Sequence, residues 1–278
     1  MTNLELTAVT GGGAFGAGLL GALTGLGGGI VIVPLLTLAC GVDIRYAIGA
    51  SLIAVIATSS GAAAAYVREG YTNVRVGMVL EMATTSGALA GAFAAALVST
   101  GALATVFGLV LLYSAYLSLQ PRREHVARAE SDALATWLRL GASYPTPEGR
   151  EPYGVRRVAG GFGLMFVAGV LSGLLGIGSG AVKVLAMDHV MRLPFKVSTT
   201  TSNFMIGVTA AASAGVYLHR GYIDPGVALP VMLGVLAGAL VGARVLASAP
   251  TRYLRLTFSA VVVVLSLEML YRGLTGRL

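Results

Sequence analysis

Two glycine-rich interruptions, Gly25-Leu-Gly-Gly-Gly29 and Gly176-Ile-Gly-Ser-Gly180, lie inside long apolar runs. A helix broken there leaves backbone N–H groups without partners, and these must be satisfied in a membrane. The following helix starts with partial positive charge. Bare amides, a positive dipole end and no Cβ in the way make a compact anion site. This places Gly27, Gly28 and Gly29 in one copy of such a site, and Gly178, Ser179 and Gly180 in the other. The plainer alternative is that the glycines only permit close helix packing. Lys183 follows the second break by one helical turn. An intramembrane cation is costly and faces a cavity or a partner. It suits an anionic substrate, or else snorkels to the interface or pairs with Glu81 or Asp188. Thr200, Thr201, Ser202 and Asn203, with Ser51 upstream, supply hydroxyl and amide donors that can hold an oxyanion and let it go. Ser and Thr also cap helices and bond back to their own backbone. Glu81 stands alone inside another apolar run, where a buried carboxylate can carry a coupling ion, a proton or sodium.

The elements that must position these residues are transmembrane helices. Hydrophobic residues make up 56% of the 278 and charged residues 11%, too few to cover a water-facing surface of that size. Eight apolar stretches are long enough to span a bilayer: roughly 8–41, 47–67, 75–98, 102–119, 157–190, 197–218, 225–246 and 253–271. No stretch alternates polar and apolar residues as a barrel strand must. Cys40 is the single cysteine, which excludes an intrachain disulfide and a thiolate metal site. No metal or cofactor is expected. The segment Met1 to Thr10 lacks Lys and Arg, so the first apolar stretch is expected to be retained rather than cleaved as a signal. The net charge of +7 is not a nucleic-acid footprint, because seven of the nineteen basic residues sit in one loop and most others flank helix ends.

The chain repeats itself at an offset of 151 residues. Gly25, Gly27 and Gly29 fall on Gly176, Gly178 and Gly180; Ser51 falls on Ser202; Tyr66 to Tyr71 falls on Tyr217 to Tyr222. Lys183 and Glu81 have the apolar mates Ile32 and Met232. Duplicated halves are a usual architecture of secondary transporters, with the site at the interface between them. Each repeat reads as a glycine-broken helix or hairpin followed by three transmembrane helices, all-α. Residues 1–119 form the first membrane repeat, 120–156 a cytoplasmic linker, and 157–278 the second repeat. An inverted arrangement keeps fourteen basic residues on the linker side of the membrane and four on the other, a parallel arrangement twelve and six, which favours inversion. Residues 124–140 of the linker can form an amphipathic surface helix, with Pro145, Pro147 and Pro152 keeping the remainder irregular.

Gly25-Leu-Gly-Gly-Gly-Ile-Val-Ile-Val-Pro-Leu35, Ala47-Ile-Gly-Ala-Ser-Leu52, Gly176-Ile-Gly-Ser-Gly180 and Thr200-Thr-Ser-Asn203, in that order, resemble the sulfite exporter TauE/SafE family. The resemblance covers nearly the whole chain apart from the linker. It implies a multi-pass plasma-membrane (cell inner membrane) transporter of a small anion such as sulfite, a sulfonate or a related organic anion. The second copy departs from the pattern at Ser179, where a glycine is expected, and at Leu185, opposite Pro34. The expected partners are the anion and the lipid bilayer, with a homodimer as one assembly. An enzyme is not expected: a serine-protease motif around Ser179 lacks its upstream glycine, Ile177 standing there. The remaining alternatives are a passive anion channel and a non-transporting membrane scaffold.

Overall fold

The computed structural model describes residues 3–24, 29–68, 70–119, 130–146, 149–246 and 251–276. The first half comprises α1 (Asn3–Thr24), α2 (Gly29–Pro34) widening into a π-helical turn (Leu35–Ala39), α3 (Ile44–Arg68), α4 (Val74–Ala94) and α5 (Thr100–Leu119). A short α6 (Ala133–Trp137) and a hairpin of β1 (Ala142–Thr146) and β2 (Gly149–Tyr153) follow. The second half comprises α7 (Val158–Leu175), α8 (Gly180–Leu185) with its π turn (Ala186–Val190), α9 (Phe195–His219), α10 (Pro225–Leu246) and α11 (Thr251–Thr275). The end of α1, both bounds of α2, its π turn and α3, and the start of α4 recur in the second half displaced by 151 residues. The repeat read from residue identities is therefore a repeat of structure. Both π turns occur at the same place although Pro34 precedes only one and Leu185 the other, so proline is not their cause. Each closes with a matching bond, Val42 N–H to Leu36 O at 3.1 Å and Leu193 N–H to Met187 O at 3.0 Å.

The halves are interlocked rather than set side by side. α1 packs on α10, α4 on α7, α3 on α9 and α5 on α11. Two of these seams are glycine seams. A Cβ added at Gly87, Gly91, Gly169 or Gly173 would lie 2.0–2.1 Å from a backbone oxygen across the α4–α7 contact. The α1–α10 contact is as close at Gly18, Gly234 and Gly238, at 2.0–2.3 Å. Such approach lets backbones gain dispersion contact where lipid supplies no hydrophobic drive. Where α5 packs on α11 and α3 on α9, the two helices of each pair run antiparallel. Gly101 at the start of α5 faces Gly273 O near the end of α11, and Gly108 faces Ser266 O one helical stretch on, each at 2.9 Å. Arg45 at the start of α3 lies over the Tyr222 ring just past α9, at 5.9 Å. Its mate Lys196 at the start of α9 lies over Tyr71 just past α3, at 6.0 Å.

Among the described residues, four helices are by themselves long and apolar enough to cross a membrane: Val74–Ala94, Thr100–Leu117, Val158–Leu175 and Pro225–Gly242. α9 is as long as any of them, but its early turns carry Ser198 to Asn203, which lowers its apolar character.

The linker departs from expectation. Among its described residues the helix is confined to Ala133–Trp137, and residues 124–129 of the expected amphipathic segment lie outside them. The proline-rich part is not irregular: Pro145 pairs with Arg150 and Pro152 with Ser143 in an antiparallel ribbon. Both strands of a two-stranded ribbon are edges, where proline's missing N–H costs no ladder bond. The ribbon is anchored to the helices. Asn73 N-caps α4 through Val76 N–H at 3.1 Å and donates its amide to Leu140 O at 2.9 Å and the Tyr153 hydroxyl at 2.8 Å. Asp132 caps α6 at Ala135 N–H (2.7 Å) and also accepts from Val158 N–H at the start of α7 (3.3 Å).

Candidate functional site

Helix α7 stops where Gly176 enters the left-handed region, at φ +69°, its N–H bonding back to Ser172 O. Gly178 at φ +70° and Ser179 at φ +47° hold the chain in that region before α8 begins at Gly180. For Ser179, which carries a Cβ, this conformation is strained, and such strain concentrates at functional sites. Among the described residues the amides of Ile177, Gly178, Ser179 and Gly180 find no hydrogen-bond acceptor, and the buried Ser179 hydroxyl finds no partner. Lys183 N–H closes the first turn on Ser179 O at 3.0 Å.

The carbonyl side of the break is satisfied instead. The buried Tyr217 hydroxyl lies within donating distance of Gly173 O (3.2 Å) and Leu174 O (3.4 Å). Ser51, from α3 of the other half, lies 2.9 Å from Gly176 O and 3.3 Å from Gly29 O. The repeat-mate contact recurs at the same length, Ser202 to Gly180 O at 3.3 Å. Each serine therefore ties α3 or α9 to the start of its own broken segment, and Ser51 also reaches across to the second break. A Cβ at Gly29 would meet Val55 at 2.7 Å and Ser51 Oγ at 3.0 Å, and one at Gly180 would meet Ile206 at 2.8 Å. Gly27 and Gly28 lie outside the described residues.

The rest of the hydroxyl run is dispersed. Thr200 bonds back to Lys196 O at 2.9 Å within α9. Thr201 accepts from Asn73 N–H at 3.0 Å, tying α9 to the loop before α4. Asn203 is half-buried and makes no side-chain hydrogen bond among the described residues. Of the run, only Ser202 reaches the break.

Lys183 and Glu81 are brought together through a residue that the sequence reading passed over. Lys183 is fully buried, and its Nζ donates to Thr209 Oγ1 at 2.5 Å. The Thr209 hydroxyl lies 2.6 Å from Glu81 Oε1 and 3.0 Å from Met205 O. Thr85 donates to the same Glu81 oxygen at 3.1 Å. Glu81 Oε2 is buried with no partner among the described residues. The chain Lys183–Thr209–Glu81–Thr85 thus joins α8, α9 and α4, elements of both halves. A signal for Thr209 existed in the sequence: it is identical to its mate Thr58, inside an otherwise apolar helical stretch. Asn73 had one too, since its mate Asp224 also caps a helix, at Gly226 N–H. No metal-ligating cluster of three or more His, Cys, Asp or Glu side chains occurs among the described residues.

Comparison with known proteins agrees with this architecture. The chain is 28% identical over 267 residues to the probable membrane transporter protein YunE of Bacillus subtilis, covering 93% of this chain and 95% of that one. It is 25% identical over 276 residues to a probable membrane transporter protein of Xylella fastidiosa, covering 98% of each. Probable membrane transporter protein MJ0441 of Methanocaldococcus jannaschii is 23% identical over 276 residues, covering 92% of each. No solved structure gives a significant match. A family model, Sulfite exporter TauE/SafE, matches residues 10–269, nearly the whole of the interlocked helical repeat, and the chain accordingly belongs to the sulfite exporter TauE/SafE family of membrane transporters.

Proposed function

We propose that this protein is a secondary transporter carrying a small anion, a sulfite, sulfonate or related organic anion, across the plasma membrane. The site lies between the two repeats, at the glycine breaks. The observation that carries this reading is the run of amides at Ile177 to Gly180 without partners among the described residues, beside the Ser179 hydroxyl, likewise without one among them, and one helical turn from Lys183. Amides and hydroxyls aimed at one point substitute for the hydration shell of an oxyanion. Gly29, Ser51, Gly178, Gly180 and Ser202 shape the floor, with Gly27 and Gly28 as the first copy's contribution and Thr200, Thr201 and Asn203 along the adjoining helix. Lys183 supplies the cation and Glu81 the coupling group. The repeats are inverted, a reading supported by the opposite directions of α3 and α9 and of α5 and α11. Residues 120–156 join the repeats on the cytoplasmic side.

The test is anion uptake into proteoliposomes. The Lys183→Ala variant, recovered as a monodisperse protein with a single melting transition, is expected to lose at least ~90% of flux, since one charged contact contributes about 1.5–3 kcal/mol. Wild-type flux in that variant contradicts the proposal. Fluxes far above carrier rates, unsaturable in substrate, identify a channel instead.

A further inference from the structure

The polar chain at Lys183 exists on one side of the pseudosymmetry only. Its mates are Ile32 for Lys183, Met232 for Glu81 and Leu236 for Thr85; Thr58 alone is retained, opposite Thr209. Thr58 has no carboxylate to serve, and its hydroxyl reaches Ala54 O at 3.0 Å and Val55 O at 3.2 Å. Thr209 keeps the equivalent of the first contact, Met205 O at 3.0 Å, beside its 2.6 Å approach to Glu81. One hydroxyl proton cannot serve both acceptors at once. Thr209 therefore has two settings: hydroxyl toward Glu81, or back on its own helix as Thr58 is.

Resting on the anion-transport reading above, we infer that Glu81 and the transported anion are alternative counter-ions of Lys183, exchanged through Thr209, so that the anion is bound only when Glu81 takes up a proton. With Glu81 ionised, Lys183 is neutralised across Thr209 and the buried pair carries no net charge. Adding an anion to that state would bury two negative groups against one positive group, which a low-dielectric interior opposes. Adding a proton to Glu81 and a monovalent anion to Lys183 together restores neutrality: one proton enters with one anion, and Thr209 turns its hydroxyl to Met205 O. Glu81 Oε2, buried and without a partner among the described residues, is the oxygen left for that proton. Among the described residues, the other charge on α4 is Arg75 at its start, and the π turn after α8 carries Asp188 and His189, 4.0 Å apart. α7, packed on α4, carries no titratable residue. The titratable groups of α9, packed on the other side, are Lys196, Tyr217 and His219, all at its ends. Thr209 is a positioning residue in this scheme, and Glu81 the proton carrier.

Reciprocal linkage gives the readout. The probes are methanesulfonate, ethanesulfonate and 2-hydroxyethanesulfonate, all monovalent and none titrating between pH 5.5 and 8. Binding to detergent-solubilised protein is followed by thermal shift, and proton entry into proteoliposomes by an internal pH dye. Wild-type affinity is expected to rise about tenfold per pH unit lowered over part of that range, with one proton entering per anion. Glu81→Gln, neutral at every pH, should bind at pH 8 as tightly as wild type does at its acid limit, with no pH slope and no proton entry. Thr209→Val should shift the pH profile while keeping both charged groups. Anion flux by wild-type protein without proton entry overturns the inference whatever the variants do, as does a retained pH slope in Glu81→Gln. Failure of all three probes to bind at any pH instead overturns the anion-transport reading beneath it.

Discussion

Tyr153 is a compact case of a side chain whose neighbours decide its chemistry. It is 4% exposed at the end of β2, and burial pushes its phenol from the ordinary 10.0 up to about 12, the Asn73 amide donor working the other way. A phenol with a raised value in the folded protein favours its neutral form there. Its stabilising contribution is complete below pH 10 and is lost as pH rises from 10 toward 12. Melting temperature measured against pH should therefore fall more steeply in that window for wild type than for Tyr153→Phe, which cannot ionise. Coincident profiles would contradict the assignment. The residue scale is also where the sequence was most and least informative. Lys183 and Glu81 announce themselves, because a charge inside an apolar run has few innocent explanations. That they share Thr209 was not readable, since hydroxyls in membrane helices mostly bond to their own backbone, as Thr200 and Ser86 do.

Elements carry the next level of specification. Gly87 and Gly91, like Gly169 and Gly173, have the small-xxx-small spacing of a helix contact, so a packing stripe was legible on α4 and α7. Which stripe meets which was not, because a stripe of small residues fits any other. The structure pairs them across the halves. Gly173→Val would drive a Cβ to 2.0 Å from Ala88 O, whereas Gly163, on the same helix, has open space within 4 Å of its Cβ direction. Gly173→Val is expected to cost about 3 kcal/mol or more, at or beyond the upper range for overpacking, and to abolish the monodisperse gel-filtration peak. Gly163→Val should elute and melt as wild type does. Equal recovery of both variants would argue against the seam. The linker ribbon went unforeseen for a different reason. Pro145 and Pro152 read as breakers, yet in a ribbon with two edge strands nothing requires their N–H groups.

At the scale of the whole molecule, hydropathy and the 151-residue offset conveyed the two-repeat helical architecture, and basic residues in loops suggested its inversion. The swapped cation–π pairs, Arg45 with Tyr222 and Lys196 with Tyr71, set α3 and α9 antiparallel where they pack, and the inversion proposed above is tested from the membrane faces. In a Cys40→Ser background, single cysteines at the equivalent positions Asp43 and Pro194 should react with a membrane-impermeant maleimide from opposite faces of the membrane. Labelling from the same face would mean parallel repeats.

The interlocking of α1 with α10 and of α4 with α7 bears on how the chain is made. During synthesis α1 emerges about 200 residues ahead of the helix that will cover its glycines, a wait on the order of 10–40 s at 5–20 residues per second. Through that interval the leading half has lipid, or an insertase, against surfaces meant for a helix not yet translated. Neither half can complete its own seams, so maturation is a late event that follows release of the second half rather than a stepwise accretion from the N-terminus.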